Sequence, residues 1–112
     1  MMIRKYFDLL KKNREVFEKA EEIAESVKKK AKEIFGDCEV YLIGSYVRGD
    51  FTLSSDLDIL IISDKIPEKF DFDWYSNVVK KLTNDDRVNV HLVNRKKFAE
   101  VEKLYRPRLP VK

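Results

Sequence analysis

A single cysteine, Cys38, is all the thiol chemistry in this chain of 112 residues. It excludes an intrachain disulfide and any metal site built from several thiolates. Placed just before an apolar stretch, it reads as a small buried thiol. No apolar run approaches the ~20 residues that a membrane helix requires. The opening Met1-Met2-Ile3-Arg4-Lys5 gathers charge early and builds no signal-peptide core, so a cytoplasmic protein without a membrane partner is expected. Glutamine is absent and the charge is mostly Lys and Glu, a pattern enriched in proteins from hot environments, so a thermophilic origin is expected. Repeats, low-complexity stretches and interdomain linkers are also missing. One compact domain over residues 1–112 follows from the length.

Charge is plentiful: 38% of residues are charged, well above the ordinary quarter, which limits the chain to one small core. Net charge is only +3, but residues 38–93 carry a balance of −4 and residues 94–112 a balance of +5. An acidic middle suits cations, and a basic tail suits phosphates, an acidic partner or plain solvation of a helix end.

The apolar pattern alternates between helical and strand periods. Val16, Ala20, Ile23, Ala24, Val27, Ala31, Ile34 and Phe35 recur at spacings of three and four, after an earlier stripe of Ile3, Phe7 and Leu10. This predicts a helix over 2–35, with a kink or break near Lys12 to Arg14, ended by Gly36. Val40 to Ile43 predicts a strand, and Ser45 an N-cap for a short helix through Arg48. Leu57 to Ile62 predicts a strand buried on both faces. Asp71 or Asp73 caps a helix through Leu82 with Trp74, Val78 and Leu82 inward. Asn84-Asp85-Asp86 is turn chemistry. Val88 to Val93 alternates, with Val88, Val90 and Leu92 on one face and Asn89, His91 and Val93 on the other. Asn94 caps a last helix to about Tyr105, which Pro107 and Pro110 end, leaving a short tail. The fold class is therefore α/β (α+β): a small mixed sheet of at least three strands with helices mainly on one face, preceded by a long N-terminal helix. Its parts are the helical segment 1–36, a core over 38–94, and a C-terminal helix and basic tail over 95–112.

The chemistry gathers between Gly44 and Asp58. Asp56 and Asp58 stand two residues apart at the head of an apolar strand, so their side chains share a face. Paired carboxylates are hard oxygen ligands of the kind that hold Mg²⁺ together with substrate phosphates. Backbone amides at Gly44-Ser45, where a helix begins, suit phosphate oxygens, and glycine leaves room for a close approach. The Ser45 hydroxyl can donate to a phosphate, and Arg48 either adds charge or braces the loop. Each piece alone is common: Gly-Ser is a frequent turn, and Asp-x-Asp a frequent sheet edge. Their combination between two apolar strands is far more specific.

Gly44-Ser45-Tyr46-Val47-Arg48-Gly49 followed by Ser55-Asp56-Leu57-Asp58 resembles the signature of the DNA polymerase β-like nucleotidyltransferase superfamily. In particular it is similar to the small, single-domain minimal nucleotidyltransferases of archaea and bacteria, over roughly residues 38–94. The resemblance implies a mixed sheet with flanking helices. It implies that Gly44, Ser45, Arg48 and Ser55 belong to the nucleotide-binding loop, and that Asp56 and Asp58 hold Mg²⁺ or Mn²⁺. It also implies ATP as the nucleotide, AMP transfer to a protein or RNA hydroxyl, and a small helical partner of the HEPN type that some members neutralise as antitoxins. The family's third carboxylate is expected on the strand 88–93, where His91 stands instead. Three readings fit: His91 replaces the acid as a catalytic residue, with manganese favoured; Asp50, Asp85 or Asp86 supplies the third ligand; or the site keeps nucleotide binding without transfer. Three functions correspond: a nucleotidyltransferase, a catalytically impaired binding subunit of a helical partner, and direct nucleic-acid binding through Arg95, Lys96, Lys97, Lys103, Arg106, Arg108 and Lys112. The chain has no room for a separate base-recognition domain, so the acceptor is not written in it.

Overall fold

A computed structural model describes the chain over residues 2–52 and 55–112, with side chains described from Phe17 onward. Helix α1 runs over Met2–Phe35, followed by strand β1 (Glu39–Ile43), the single turn of α2 (Ser45–Arg48) and strand β2 (Leu57–Ser63). Helix α3 (Phe72–Leu82), strand β3 (Val88–Asn94), helix α4 (Arg95–Val101), a 3₁₀ turn (Glu102–Tyr105) and strand β4 (Leu109–Pro110) complete the chain.

The four strands form one mixed sheet in the order β3-β2-β1-β4. A loop carrying α2 joins the antiparallel pair β1 and β2, with Ile43 opposite Asp58. The crossover through α3 makes β2 and β3 parallel, with Asp58 beside Asn89 and Leu60 beside His91. As the central strand of an all-apolar run, β2 is buried on both faces: Ile59, Leu60, Ile61 and Ile62 are fully inaccessible.

One face of the sheet, formed by Val40, Leu42, Leu57, Ile59, Ile61, Val90 and Leu92, packs against α1 and α3. Helix α1 buries Ala20, Ala24, Val27, Ala31 and Phe35, spaced by three and four, and its alanines let the helix axis lie close to the strands. Ile34, placed on the same stripe by its spacing, is 37% exposed. The expected contributions of Ile3, Phe7, Leu10 and Val16 lie outside the described side chains. Asp71 caps α3 by accepting from the Trp74 amide at 2.9 Å, and Val78 and Leu82 are buried beneath it. Cys38 is buried, and desolvation pushes its thiol pKa up, so it is inert packing.

Four local expectations are corrected. Helix α1 passes through Lys12 to Arg14 without a break, because Asn and Arg cost a helix only a few tenths of a kcal/mol. Ser45 is the first helical residue, and the N-cap position belongs to Gly44, with no side-chain cap. The last α-helix ends at Val101 and continues only as the 3₁₀ turn. The supposed tail turns back and forms β4, with Leu42 opposite Leu109 and Tyr41 opposite Pro110. Proline is tolerated there because β4 is an edge strand. The Val111 amide extends the contact by donating to the Val40 carbonyl at 2.9 Å, and Lys28 Nζ donates to the Val111 carbonyl at 2.7 Å.

These corrections clothe the second face. Ile43, Leu60, Ile62 and Val93 are covered there by Tyr41, Phe98 and Tyr105. The two long helices hold one face, as expected, while α4 and the 3₁₀ turn shield part of the other.

Candidate functional site

The second face also carries the chemistry. Asp58 precedes Leu60 and Ile62 on β2, so alternation turns it away from α1 and toward the α4 side. Asn89 and His91 reach the same face from β3. Asn89 Nδ2 donates to Asp58 Oδ1 at 3.0 Å, and His91 Nε2 lies 3.4 Å from the same oxygen. The His91 ring meets Tyr105 edge to face at 6.1 Å between centroids. The Asp58 side chain is 25% exposed, enough to remain reachable from solvent.

Gly44 closes on the other oxygen. Its φ of 72° and ψ of −145° belong to backbone that only glycine adopts readily. A Cβ built there would lie 2.5 Å from Asp58 Oδ2. The glycine is thus required twice, by its torsions and by the carboxylate that occupies the space of a side chain. Packing brings the loop after β1 and the first residues of β2 into contact, uniting the two halves of the motif.

Helix α2 projects from this contact. The Val47 and Arg48 amides both donate to the Gly44 carbonyl at 3.1 Å, which leaves the Ser45 and Tyr46 amides at the helix's positive end. Ser45 Oγ makes no hydrogen bond among the described residues, so it stands ready as a donor. Helix α2 is pinned by Tyr46, whose ring packs against Phe17 and Phe51 at 5.2 and 5.7 Å. Tyr46 Oη donates to Glu21 at 2.8 Å, and desolvation together with this bond pushes its pKa up to about 12.

The remaining predicted site residues serve different ends. Arg48 pairs with Asp50 across the Gly49 turn at 3.7 Å, both well exposed. Ser55 Oγ accepts from the Thr52 amide at 3.0 Å and stabilises the loop entering β2. Leu53 and Ser54, inside the motif, lie outside the described residues. Asp56 is exposed, just before β2. Asp85 is tied to Arg87, whose amide and guanidinium hold the carboxyl below its usual range. Among the described residues no three His, Cys, Asp or Glu side chains gather where one metal ion would touch them all. Asp50, Asp85 and Asp86 form no such group with Asp56 and Asp58 in this arrangement.

The donor set fits a hard divalent cation in a limited way. Asp58 offers a carboxylate on β2 and Asp56 an exposed one just before it, and Mg²⁺ is commonly held by one or two carboxylates with substrate phosphates filling the remaining positions. His91 is directed at Asp58. The sequence reading missed the aromatic trio of Phe17, Tyr46 and Phe51, because no periodic signal links a loop phenylalanine to a helix more than thirty residues away. Asn89 was placed on the correct face by alternation, but its bond to Asp58 follows only from the parallel register.

Comparison with known proteins extends these observations. Residues 20–109 match the family model of the nucleotidyltransferase domain. Protein adenylyltransferase MntA of Thermococcus cleftensis is 42% identical over 55 residues, which is 49% of this chain and 56% of that protein. A candidate protein adenylyltransferase of Methanocaldococcus jannaschii is 46% identical over 44 residues, 39% of either chain. The matches thus span about half, or less, of these relatives' own lengths. A crystal structure of a candidate nucleotidyltransferase from Sulfolobus solfataricus superposes with a TM-score of 0.68 at 23% identity, covering 86% of this chain and 82% of its own. A second, described in the same terms, has a TM-score of 0.57 at 27% identity, covering 77% of this chain and 94% of its own. With the mixed sheet and the glycine loop closed on a strand carboxylate, these matches establish that the chain belongs to the nucleotidyltransferase domain family.

Proposed function

We propose that this protein transfers AMP from ATP to a hydroxyl of a protein acceptor, with a divalent metal held by Asp56 and Asp58. The observation that carries the reading is the contact between Gly44 and Asp58 Oδ2, which leaves the phosphate loop and the metal-binding strand in one small space. The names of the two archaeal relatives support adenylyl transfer and a protein acceptor.

The chain's own residues then take these roles. The Ser45 and Tyr46 amides and Ser45 Oγ receive triphosphate oxygens, and Arg48 adds positive charge at the loop's far end. Asp56 and Asp58 hold the cation, which, when bound, polarises the α-phosphate and neutralises departing pyrophosphate. Asn89 and His91 fix Asp58 through Oδ1, so its carboxylate is oriented before substrate arrives. The acceptor oxygen bonds to the α-phosphorus, the α–β bridging bond breaks, and the acceptor's proton passes to a nearby base or water.

One observation favours a second reading. No third carboxylate meets Asp58 among the described residues, and Asn89 and His91 occupy the place where one would stand. This supports a nucleotide-binding subunit that neutralises a helical partner of the HEPN type without transfer.

Labelled ATP, Mn²⁺ or Mg²⁺ and candidate acceptors separate the two. Transfer is expected with wild-type protein and is expected to fall about a hundredfold or more in the Asp56→Ala, Asp58→Ala double variant. Equal labelling by both proteins would sink the enzymatic reading. Nucleotide binding without labelling of any acceptor would favour the second.

A further inference from the structure

The basic C-terminal segment does not act as one surface. Arg95 turns toward Asp37 and Asp64, at 3.7 and 3.8 Å, and Lys96 lies 3.9 Å from Glu68. Arg106 and Arg108 separate from that group. With Tyr41, Pro107 and Pro110 they line an open depression of about 620 Å³.

The depression is built rather than incidental. Arg108 is only 24% exposed, and its guanidinium lies over the Tyr41 ring at 5.3 Å and the Phe98 ring at 5.2 Å. Glu102 accepts from Arg108 Nη1 at 2.9 Å and from Arg106 Nε at 2.8 Å. Their hydrogen bonds, Arg106's foremost, hold Glu102 below its usual carboxyl range, so it remains ionised. One carboxylate thus faces two guanidiniums, and Arg106 keeps 62% of its side chain in solvent. The nearby Glu39 accepts a hydrogen bond from Tyr41 Oη at 3.3 Å, at the rim. The walls are rigid and partly apolar, from two prolines and a tyrosine.

Its position relates it to the carboxylate site. Tyr41 and Ile43 share a face of β1, and Ile43 stands opposite Asp58. Tyr41 is therefore about 7 Å along the strand from the Asp58 row, at 3.4 Å per residue. The depression and the site open on the same side of the sheet.

We propose that this depression docks an acidic, aromatic-containing segment of the protein acceptor. Glu102 already holds the Nε–Nη2 edge of Arg106, at 2.8 and 2.7 Å, so a carboxylate would sit on the remaining Nη1–Nη2 edge, whose paired N–H donors match carboxylate geometry. An aromatic side chain would lie on the Tyr41 and proline walls. Tyrosine and arginine are the residues that dominate protein interfaces. A nucleic acid fits less well, because two arginines sharing one glutamate neutralise few phosphates. The occupant's role as acceptor rests on the adenylyl-transfer reading above, whereas the docking itself does not.

Binding without ATP tests it. The probe is a fluorescein-labelled peptide of alternating glutamate and tyrosine, followed by fluorescence anisotropy at low salt. Arg106→Glu is expected to weaken binding about tenfold or more, Arg106→Lys to retain part of it, and Lys97→Glu, in the same basic segment, to change it less than twofold. The Asp56→Ala, Asp58→Ala double variant is expected to bind the peptide like wild type, so a failure of transfer chemistry leaves this result standing. No binding of the peptide, equal weakening by Arg106→Glu and Lys97→Glu, or tighter binding of an oligouridylate of equal length would each overturn the proposal.

Discussion

Asp58 keeps different company at its two oxygens: Oδ1 takes the Asn89 amide and faces His91, while Oδ2 sits where a Gly44 side chain would be. This makes Gly44 the most demanding position in the molecule. Gly44→Ala would place a methyl group 2.5 Å from Oδ2 on backbone whose φ is 72°. It is expected to cost about 1–3 kcal/mol of stability, read as a lower urea midpoint, and to abolish the proposed adenylyl transfer by displacing Asp58. Full activity in a normally stable Gly44→Ala protein would show that the carboxylate and the loop need not meet. At this scale the sequence was readable where chemistry is local: Gly44 and Asp58 stand out by type and spacing, and the structure brings them together. The part played by His91 was not readable, because a histidine in a strand does not say which neighbour it faces.

Helix α2 has one turn, too short to persist unaided. Its stability comes from Tyr46, held between Phe17 and Phe51 and bonded to Glu21 on α1. The phenol therefore links the glycine loop to the long helix, and the link has a pH signature. Unfolded tyrosine ionises near pH 10, whereas in the folded protein Tyr46 is raised to about 12. A group that holds its proton more tightly when folded contributes stability below the unfolded pKa and loses that contribution as pH rises toward the folded one. Tyr46→Phe is thus expected to be less stable than wild type at pH 9, with the gap shrinking between pH 10 and 12, as measured by urea midpoints across that range. A gap independent of pH would remove the phenol–Glu21 bond from the account. The three main strands and α3 were visible in apolar periodicity and in the Asp71 cap. Strand β4 was not, since two residues that include a proline carry no strand period, and only pairing with β1 defines them.

As a whole, the protein is longer than a compact chain of its size. Its radius of gyration is 15.6 Å and its longest dimension 54 Å, against about 13 Å for a globular chain of similar length. The cause is α1. Its 34 residues extend about 51 Å at 1.5 Å per residue, and among the described side chains its buried positions run from Ala20 to Phe35. A chain starting at Val16 keeps every buried α1 position among the described residues and is expected to fold in one cooperative transition, with a radius of gyration near 13 Å by small-angle X-ray scattering. An unfolded truncated protein would mean that the first half of α1 belongs to the core. Among the described residues no helix is long and apolar enough to cross a membrane.

What the sequence determined by itself is whatever depends on neighbours along the chain. The helical and strand periods, the caps at Asp71 and Asn94, the central burial of β2, and the succession of a glycine loop and two carboxylates along the chain are of this kind. Tertiary structure decided what depends on residues far apart in the chain. Register set Asn89 and His91 against one oxygen of Asp58, the return of the C-terminus made a fourth strand, and the same return drew Arg106 and Arg108 away from the rest of the basic tail. Periodicity records which face of an element is apolar. It does not record which element will cover that face, and the surroundings of the site come from that covering.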